Sequence, residues 1–391
     1  MPVLAVAALS ARMMAEAAAA DGFTVIALDL FGDRDTRRAA AQWLPIGEPA
    51  SLRIDAQRLL SALRELAARG DVIGWAAGGG FEGLPDLLAQ GAALLPLLGT
   101  APAAVRRVRE PGEFFACLAA HDIAYPQTQA LPPQDSAGWL MKHALGCGGW
   151  HIQHAPLHGD TPLPPHHYFQ REVAGTPMSA TFLANGRDAI VLGFNELLVQ
   201  RIGTRPYVYA GSIGPVPLPP AMAAAVTAAV RALAAAFSLC GLGSLDFLRA
   251  PHRPRDTDRF SVLEVNPRPP ATLWAHAHGL ARGAMGAHVQ ACLQRVLPQP
   301  LPLARPEDAL AADAVSGLAI VYARRPLLLG TAAAQRLATW PDGHDLPWSA
   351  TAFEAGEPVC SVSARGADAA QVKARLQVAR ESLLNDLETA R

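Results

Sequence analysis

The run Ser261-Val262-Leu263-Glu264-Val265-Asn266-Pro267-Arg268-Pro269-Pro270 places a carboxylate, a carboxamide and a guanidinium within five residues. Residues 262–265 are apolar enough for a strand, and the prolines that follow must end it, because proline offers no amide proton to a sheet ladder. Glu264 and Asn266 are two apart, so strand alternation puts both on one face. Hard oxygen donors of this kind suit Mg²⁺, which takes one or two carboxylates and completes its shell with phosphate oxygens and water. Upstream, Gly243-Ser244-Leu245-Asp246-Phe247-Leu248 reads as a second strand, joined to the first by a polar link over residues 249–259. Antiparallel pairing brings Asp246 beside the Glu264/Asn266 face, giving three oxygen ligands from two strands. Any one of these acids alone also suits an ordinary strand edge, so other segments must decide.

Lysine is the next signal. Of 33 basic side chains all but Lys142 and Lys373 are arginine, so the chain uses arginine wherever a generic charge serves. A retained lysine points to a need for a slim, compact ammonium. Lys373 falls in a polar terminal helix and reads as solvated. Lys142 lies in Trp139-Leu140-Met141-Lys142-His143-Ala144-Leu145-Gly146-Cys147-Gly148-Gly149-Trp150-His151-Ile152, a strand, a glycine-rich turn and a return strand. Gly146, Gly148 and Gly149 let backbone amides approach an anion closely, and Lys142 can reach the same phosphates. The turn is not a GxxxxGK[ST] phosphate loop, and by itself a glycine cluster in a hairpin is more often just a turn. His143, His151 and His154 lack metal-ligand spacing and read as satisfied or solvated, as do His166 and His167; Trp139 and Trp150 read as core.

The elements that must position these residues follow a pattern. Residues 3–8 read as a strand, 12–20 as a helix and 24–28 as a strand ending at Asp29, a βαβ opening that implies a parallel sheet covered by helices. Residues 52–68 read as a helix, 72–75 as a strand, 78–80 as a loop and 84–89 as helical. Ligands of such sheets sit at the carboxyl ends of strands, which makes Ser10, Arg12 and the loop from Gly78 through Gly80 to Glu82 candidate substrate contacts. No GxGxxG follows the first strand, which argues against a dinucleotide site. Residues 99–102 read as a link and 113–121 as a helix. Tyr168-Phe169-Gln170-Arg171-Glu172-Val173-Ala174-Gly175 reads as a strand with a glycine exit, and an Asn185-Gly186 turn joins strands at 178–183 and 190–194. Beyond an extended piece at 207–215 come helices at 221–237 and 281–296, a proline-rich link at 298–306, strands at 315–322 and 359–363, and a helix at 369–387. The expected organisation is an α/β chain with α+β lobes: residues 1–100, 101–170, 171–310 and 311–391, the last completing the third. Tyr207, Tyr209 and Arg205 are candidates for an acceptor pocket.

Composition narrows the function classes. A formal net charge of −1 gives no global attraction for nucleic acid or an anionic membrane, so neither is an expected partner. Cys117, Cys147, Cys240, Cys292 and Cys360 are scattered and odd in number, as expected of reduced thiols in a cytoplasmic protein. The alanine-rich opening carries Arg12, Glu16 and Asp21 and no basic leader, which does not suit a signal peptide.

The ordered set of βαβ domain, lysine before a glycine hairpin, Gln-x-Glu-x-x-Gly, an Asp strand and Glu-x-Asn-Pro-Arg-Pro resembles the ATP-grasp superfamily across residues 1 to 365. The opening Ser10-Ala11-Arg12-Met13-Met14-Ala15-Glu16-Ala17, Leu28-Asp29 and Asn266-Pro267-Arg268-Pro269 are similar to the aminoimidazole ribonucleotide carboxylase-like branch. Asp29 to Asp35 and Gly79 to Glu82 are similar to ATP-dependent carboligases and the tyramine–glutamate ligase group, some of which accompany methanopterin- or methanofuran-linked one-carbon metabolism. The resemblance implies an ATP-grasp fold with a pre-ATP-grasp domain, ATP and Mg²⁺ as cofactors, and a fold that often dimerises. It implies Lys142 on nucleotide phosphates and the Gly146 to Gly149 loop closing over them. Gln170, Glu172 and Val173 then form the inter-lobe strand, Asp246, Glu264 and Asn266 the Mg²⁺ site, and Arg268 neutralises an acyl phosphate. Two positions depart from the pattern: Pro177 stands where many relatives place an acid for the ribose, and Pro111 follows Arg106, Arg107 and Arg109 where a second phosphate cation is common. The implied activity is an ADP-forming carboxylate–amine ligase working on small-molecule acid and amine substrates. The alternatives are a carboxylase working through carboxyphosphate and a nucleotide-binding regulatory protein without turnover.

Overall fold

The computed structural model describes residues 1–156, 164–251, 259–276, 280–299 and 315–389. A four-stranded parallel sheet opens the chain, in the order Gln42–Pro45, Thr24–Asp29, Val3–Ala7, Val72–Ala77. Val3–Ala7 is buried along its whole length, as both faces of such a sheet must be where helices cover them. Helix Arg12–Ala20 packs on one face with Met14, Ala15 and Ala18, and helix Ala56–Arg69 on the other with Leu59, Leu63 and Leu66. The second of these starts at Ala56 and not at residue 52, because Leu52 sits in the left-handed region and the Asp55 carboxylate caps the Arg58 amide. The short helix Arg34–Ala39 and the strand Gln42–Pro45 were not expected; each is too short to show a period.

The expected link at residues 99–102 is a fastened joint. Thr100 is buried and its hydroxyl donates to the Cys240 carbonyl at 3.1 Å while accepting from the Cys240 amide at 3.0 Å. Helix Pro102–Val108 starts at once, with proline at a first-turn position that needs no donor. Helix Pro111–Ala120 follows and packs Phe114, Phe115 and Leu118 into the core of the large sheet.

That large sheet has eight strands, in the order Phe260–Asn266, Cys240–Arg249, Thr176–Asn185, Ala189–Ile202, Arg205–Gly214, Val315–Tyr322, Pro358–Gly366, Gly343–His344. Its pairings are antiparallel. The alanine-rich helix Pro220–Ala236 lies on it through Met222, Val226, Val230 and Leu233, a stripe at helical spacing. Each such side chain contributes roughly 1.5–3 kcal/mol by leaving water. The C-terminal helix Ala369–Thr389 covers another part of the sheet with Val372, Leu376 and Leu383. A smaller antiparallel sheet, Thr128–Gln129, His167–Arg171, Trp139–His143, Ile152–His154, stands apart with its own core of Trp139 and Phe169. Among the described residues no helix is long and apolar enough to cross a membrane. The central part of the polar link after Arg249 and most of the proline-rich link expected at 298–306 lie outside the described residues.

Candidate active site

Strand register brings the acids together. Asp246 is the direct partner of Glu264, and Ser244 of Asn266, in the antiparallel pair Cys240–Arg249 and Phe260–Asn266. Asn266 Nδ2 donates to Asp246 Oδ2 at 3.0 Å and to Glu264 Oε1 at 3.4 Å, and the Ser244 hydroxyl donates to Asp246 Oδ1 at 3.2 Å. Three oxygen-bearing side chains thus share one face.

The two carboxylates are not equivalent. Burial, with Glu264 next, pushes Asp246 up to about 7. Burial also works to raise Glu264, but Arg109, His151 and Lys142 outweigh it and hold that carboxyl below its usual range. Neighbouring acids pushed apart in this way are a mark of a functional site.

Arg109 is the residue that sequence reasoning misjudged. Its neighbours Arg106 and Arg107 are exposed and pair with Asp86 and Glu113. Arg109 is buried: Nη1 meets Glu264 Oε2 at 3.0 Å, Nε donates to the Ala144 carbonyl at 3.0 Å and Nη2 to the Gly146 carbonyl at 2.6 Å. It therefore ties the loop after Lys142 to the Glu264 strand. Val105, Val108 and Arg109 lie three and four apart and are all buried, so helical spacing marked it as inward-facing. Pro111 affects none of this.

Lys142 stands where its strand was expected to put it. It is buried, its Nζ donates to Gln170 Oε1 at 2.6 Å, and burial pushes its pKa down to about 8 against the pull of Glu264. Gln170 Nε2 is buried without a hydrogen-bond partner, and so is His151 Nδ1. Burial pushes that imidazole down to about 4. Unpaired buried polar atoms are costly unless something meets them, and both belong to the wall of one cavity of about 330 Å³. The same wall holds Lys142, Gly148, Gly149, the segment from Gln170 to Gly175, and, opposite, Asp246, Glu264, Asn266 and Arg268.

The glycine loop is docked on the large sheet. The Tyr209 amide donates to the Gly148 carbonyl at 3.0 Å, and a Cβ on Gly149 would stand 1.9 Å from the Tyr207 carbonyl oxygen. Only glycine fits there, at φ +75°. Gly146 does not line the cavity; it serves as the acceptor for Arg109. Glu172 accepts from the Tyr207 hydroxyl, and Val173 is exposed at the cavity edge. Arg205 departs from expectation: its Nε donates to the Trp150 carbonyl at 2.5 Å and it lines neither large cavity. It buttresses the glycine loop.

A second cavity, of about 620 Å³, adjoins the first; Tyr209, Arg268, Pro270 and Ala271 line both. Ser10, Arg12, Gly78 and Gly79 are on its wall, whereas Gly80 is not: its amide donates to Glu82 Oε2 at 2.7 Å. Glu82 in turn meets Arg268 Nε at 2.7 Å. Arg12 is already committed, with Nε 2.6 Å from Asp345 Oδ1 and Nη1 2.8 Å from Glu16 Oε2.

The donor set fits a small, hard cation with phosphate. Among the described residues no cluster of three or more His, Cys, Asp or Glu is poised to enclose a metal, so a cation here needs ligand oxygens to complete its shell, as Mg²⁺ does on a nucleotide. The two unpaired nitrogens and the glycine-formed wall fit a polar, elongated guest on the small-sheet side.

A clamp of two lobes around such a cleft, behind a parallel-sheet domain, defines a class of nucleotide-binding fold. Residues 113–272 match the family model of the ATP-grasp domain, and the chain as a whole has the ATP-grasp fold. It resembles a biotin carboxylase–β,γ-ATP complex from Campylobacter jejuni at 11% identity and a TM-score of 0.68, over 99% of this chain and 95% of that one. It resembles N5-carboxyaminoimidazole synthase from Aspergillus clavatus, in complex with ADP and 5-aminoimidazole ribonucleotide, at 14% and 0.64, over 97% and 98%. The biotin carboxylase domain dimer of 2-oxoglutarate carboxylase from Hydrogenobacter thermophilus, with MgADP and bicarbonate, matches at 12% and 0.68, over 99% and 94%. No curated protein matches by sequence.

Proposed function

We propose that this chain is an Mg²⁺-dependent, ADP-forming ligase that activates a carboxylate with ATP and joins it to an amine. The carrying observation is that the two cavities meet at Arg268, between the Asp246/Glu264/Asn266 face and the wall bearing Ser10 and Arg12. In this reading ATP lies in the smaller cavity, with Lys142 and the Gly148–Gly149 turn on its phosphates. Gln170 keeps the Lys142 ammonium in place, and the segment from Gln170 to Val173 flanks the base. Asp246, Glu264 and Asn266 hold Mg²⁺, which supplies positive charge to the phosphate oxygens.

The chemistry then needs little from the protein beyond placement and neutralisation. A substrate carboxylate oxygen attacks the γ-phosphorus, the bond to the ADP oxygen breaks, and an acyl phosphate forms. Arg268, held by Glu82, faces the charge that develops on the transferred group. An amine then attacks the acyl carbon, phosphate departs and the amine proton is lost. The larger cavity lies within the range that holds drug-sized ligands, which favours a multi-carbon acid and its amine over bicarbonate. The likeness of Asp29 to Asp35 and Gly79 to Glu82 to ligases that accompany one-carbon metabolism supports a place in methanopterin- or methanofuran-type cofactor synthesis. A homodimer belongs to the same proposal, supported by the Hydrogenobacter domain being a dimer.

ADP release measured with a panel of acid and amine pairs tests the proposal. It predicts release that requires Mg²⁺ and both substrates. Tight ATP binding without Mg²⁺-dependent ADP release for any pair would leave a nucleotide-binding protein in its place.

A further inference from the structure

Cys240 and Cys292 meet at the joint between the parallel-sheet domain and the large sheet, on the wall of neither large cavity. Cys240 opens the strand Cys240–Arg249, which carries Asp246, and both its backbone amide and its carbonyl are held by Thr100. Cys292 lies in the helix Gly283–Gln294. That helix is fastened to the parallel-sheet domain by Asp21, whose carboxylate accepts from the Met285 and Gly286 amides at 2.7 Å and 2.9 Å. Its buried His288 bridges the two sides, with Nδ1 accepting from the Leu242 amide at 2.9 Å and Nε2 at 3.0 Å from the Leu98 carbonyl.

The two sulfurs are in contact within this joint. Cys240 Sγ lies 3.6 Å from the carbonyl of Ala291, the residue before Cys292, and the Cys292 thiol donates a hydrogen bond to Cys240. Gly241 clears the space they share: a Cβ there would stand 3.1 Å from Cys292 Sγ and 2.5 Å from His288 Cε1.

The pair also differs in chemistry from the other three cysteines. The hydrogen bond from Cys292, with Arg295 assisting, brings the Cys240 thiol down to about 7. Glu82 and burial push Cys147 up to about 12, and burial pushes Cys117 and Cys360 up. The thiolate is the form that attacks an oxidant, so reactivity is concentrated at Cys240. Cys240 is buried, which keeps out bulky disulfides, while Cys292 beside it is part exposed and leaves an entry for an oxidant as small as hydrogen peroxide.

We propose that Cys240 and Cys292 are a peroxide-sensitive dithiol site, whose intramolecular disulfide staples the strand bearing Asp246 to the helix that anchors the parallel-sheet domain. The Cys240 thiolate attacks one peroxide oxygen, the O–O bond breaks, and the other oxygen leaves as hydroxide, giving Cys240 sulfenic acid. The Cys292 sulfur then attacks the Cys240 sulfur, the S–O bond breaks, and the departing hydroxide takes up the Cys292 proton as water. The peroxide is reduced, the two thiols are oxidised, and a dithiol reductant reverses the step. The cross-link restricts the unfolded chain, so the oxidised protein melts at a higher temperature. The inference stands independently of the ligase reading.

The test exposes the reduced full chain to hydrogen peroxide and reads it by intact and peptide mass spectrometry without reductant. The mass falls by two hydrogens, the five thiols alkylated after denaturation fall to three, and the linked peptide joins Cys240 to Cys292. The pair is lost at least about tenfold faster than Cys147 is oxidised. The melting temperature rises by at least about 2 °C, and dithiothreitol reverses both changes. Cys292→Ser stops the reaction at Cys240 sulfenic acid, which dimedone captures, whereas Cys147→Ser forms the disulfide at the unsubstituted rate. A disulfide between any other pair or between two chains overturns the proposal. So does survival of Cys240 and Cys292 after Cys147 has been oxidised, or a melting temperature unchanged in the linked form.

Discussion

In the smaller cavity Lys142 and Arg268 stand on the same wall as Asp246 and Glu264, with Arg109 paired to Glu264 from outside it, so positive and negative groups are interleaved. In the larger one arginines are already spent on acids and carboxylates remain over. The first arrangement suits a polyanion that arrives with its own cation. The two cavities meet at Arg268, so in the proposed reaction a nucleotide in the first and an acid in the second face each other across one guanidinium.

The largest effect is expected where the first arrangement loses an acid. Asp246→Asn should lower Mg²⁺-dependent ADP release by about 10³-fold, with the melting temperature kept or raised because the like-charge contact with Glu264 is gone. Equal activity in the variant would show that the face does not hold the cation. Arg268 comes next, because it serves both cavities. Arg268→Met alone strands the buried Glu82 carboxylate at about 3 kcal/mol in stability, so the informative variant is Arg268→Met with Glu82→Gln. That pair should lose about 10²-fold in kcat with ATP affinity little changed; a loss confined to ATP affinity would move Arg268 out of the transfer step.

Smaller effects probe the edges. Gly149→Ala puts a methyl 1.9 Å from the Tyr207 carbonyl oxygen at φ +75°, so the loop must leave the sheet, a strain of about 1–3 kcal/mol. ATP binding measured by fluorescence should weaken about tenfold or more, and unchanged affinity would mean the docked loop plays no part. Proton linkage is the gentlest test. Burial holds Lys142 near 8 instead of 10.5, and nearby phosphates restore its charge. Binding should therefore take up a proton between about pH 8 and 10.5, and affinity should fall by up to tenfold per pH unit above 8. Calorimetry in buffers of different ionisation heat reads the uptake directly, and Lys142→Met should abolish it.

The difference between the cavities also explains what could be read in the chain. The Asp246, Glu264 and Asn266 face follows from strand alternation and one hairpin pairing, and Lys142 from its rarity and its strand, because local periodicity fixes where those side chains point. Arg109 was within reach through its spacing from Val105 and Val108, but it was masked by two basic neighbours that are exposed. The larger cavity was beyond reach. It is assembled from Ser10, Asp33, Arg268, Asp345 and Glu357, residues in loops and short elements with no period, brought together only by the way the C-terminal segment returns to the parallel-sheet domain. Arg12 shows the limit: its position at the strand end was readable, but its pairing with Asp345, 333 residues away, was not.

A crystal structure with Mn²⁺ and a non-hydrolysable ATP analogue tests the central claim most directly. The account predicts an anomalous manganese peak on the Asp246, Glu264 and Asn266 face, with the γ-phosphate directed toward Arg268 and the larger cavity. A nucleotide seated in the larger cavity, or a metal peak away from those three side chains, would contradict it.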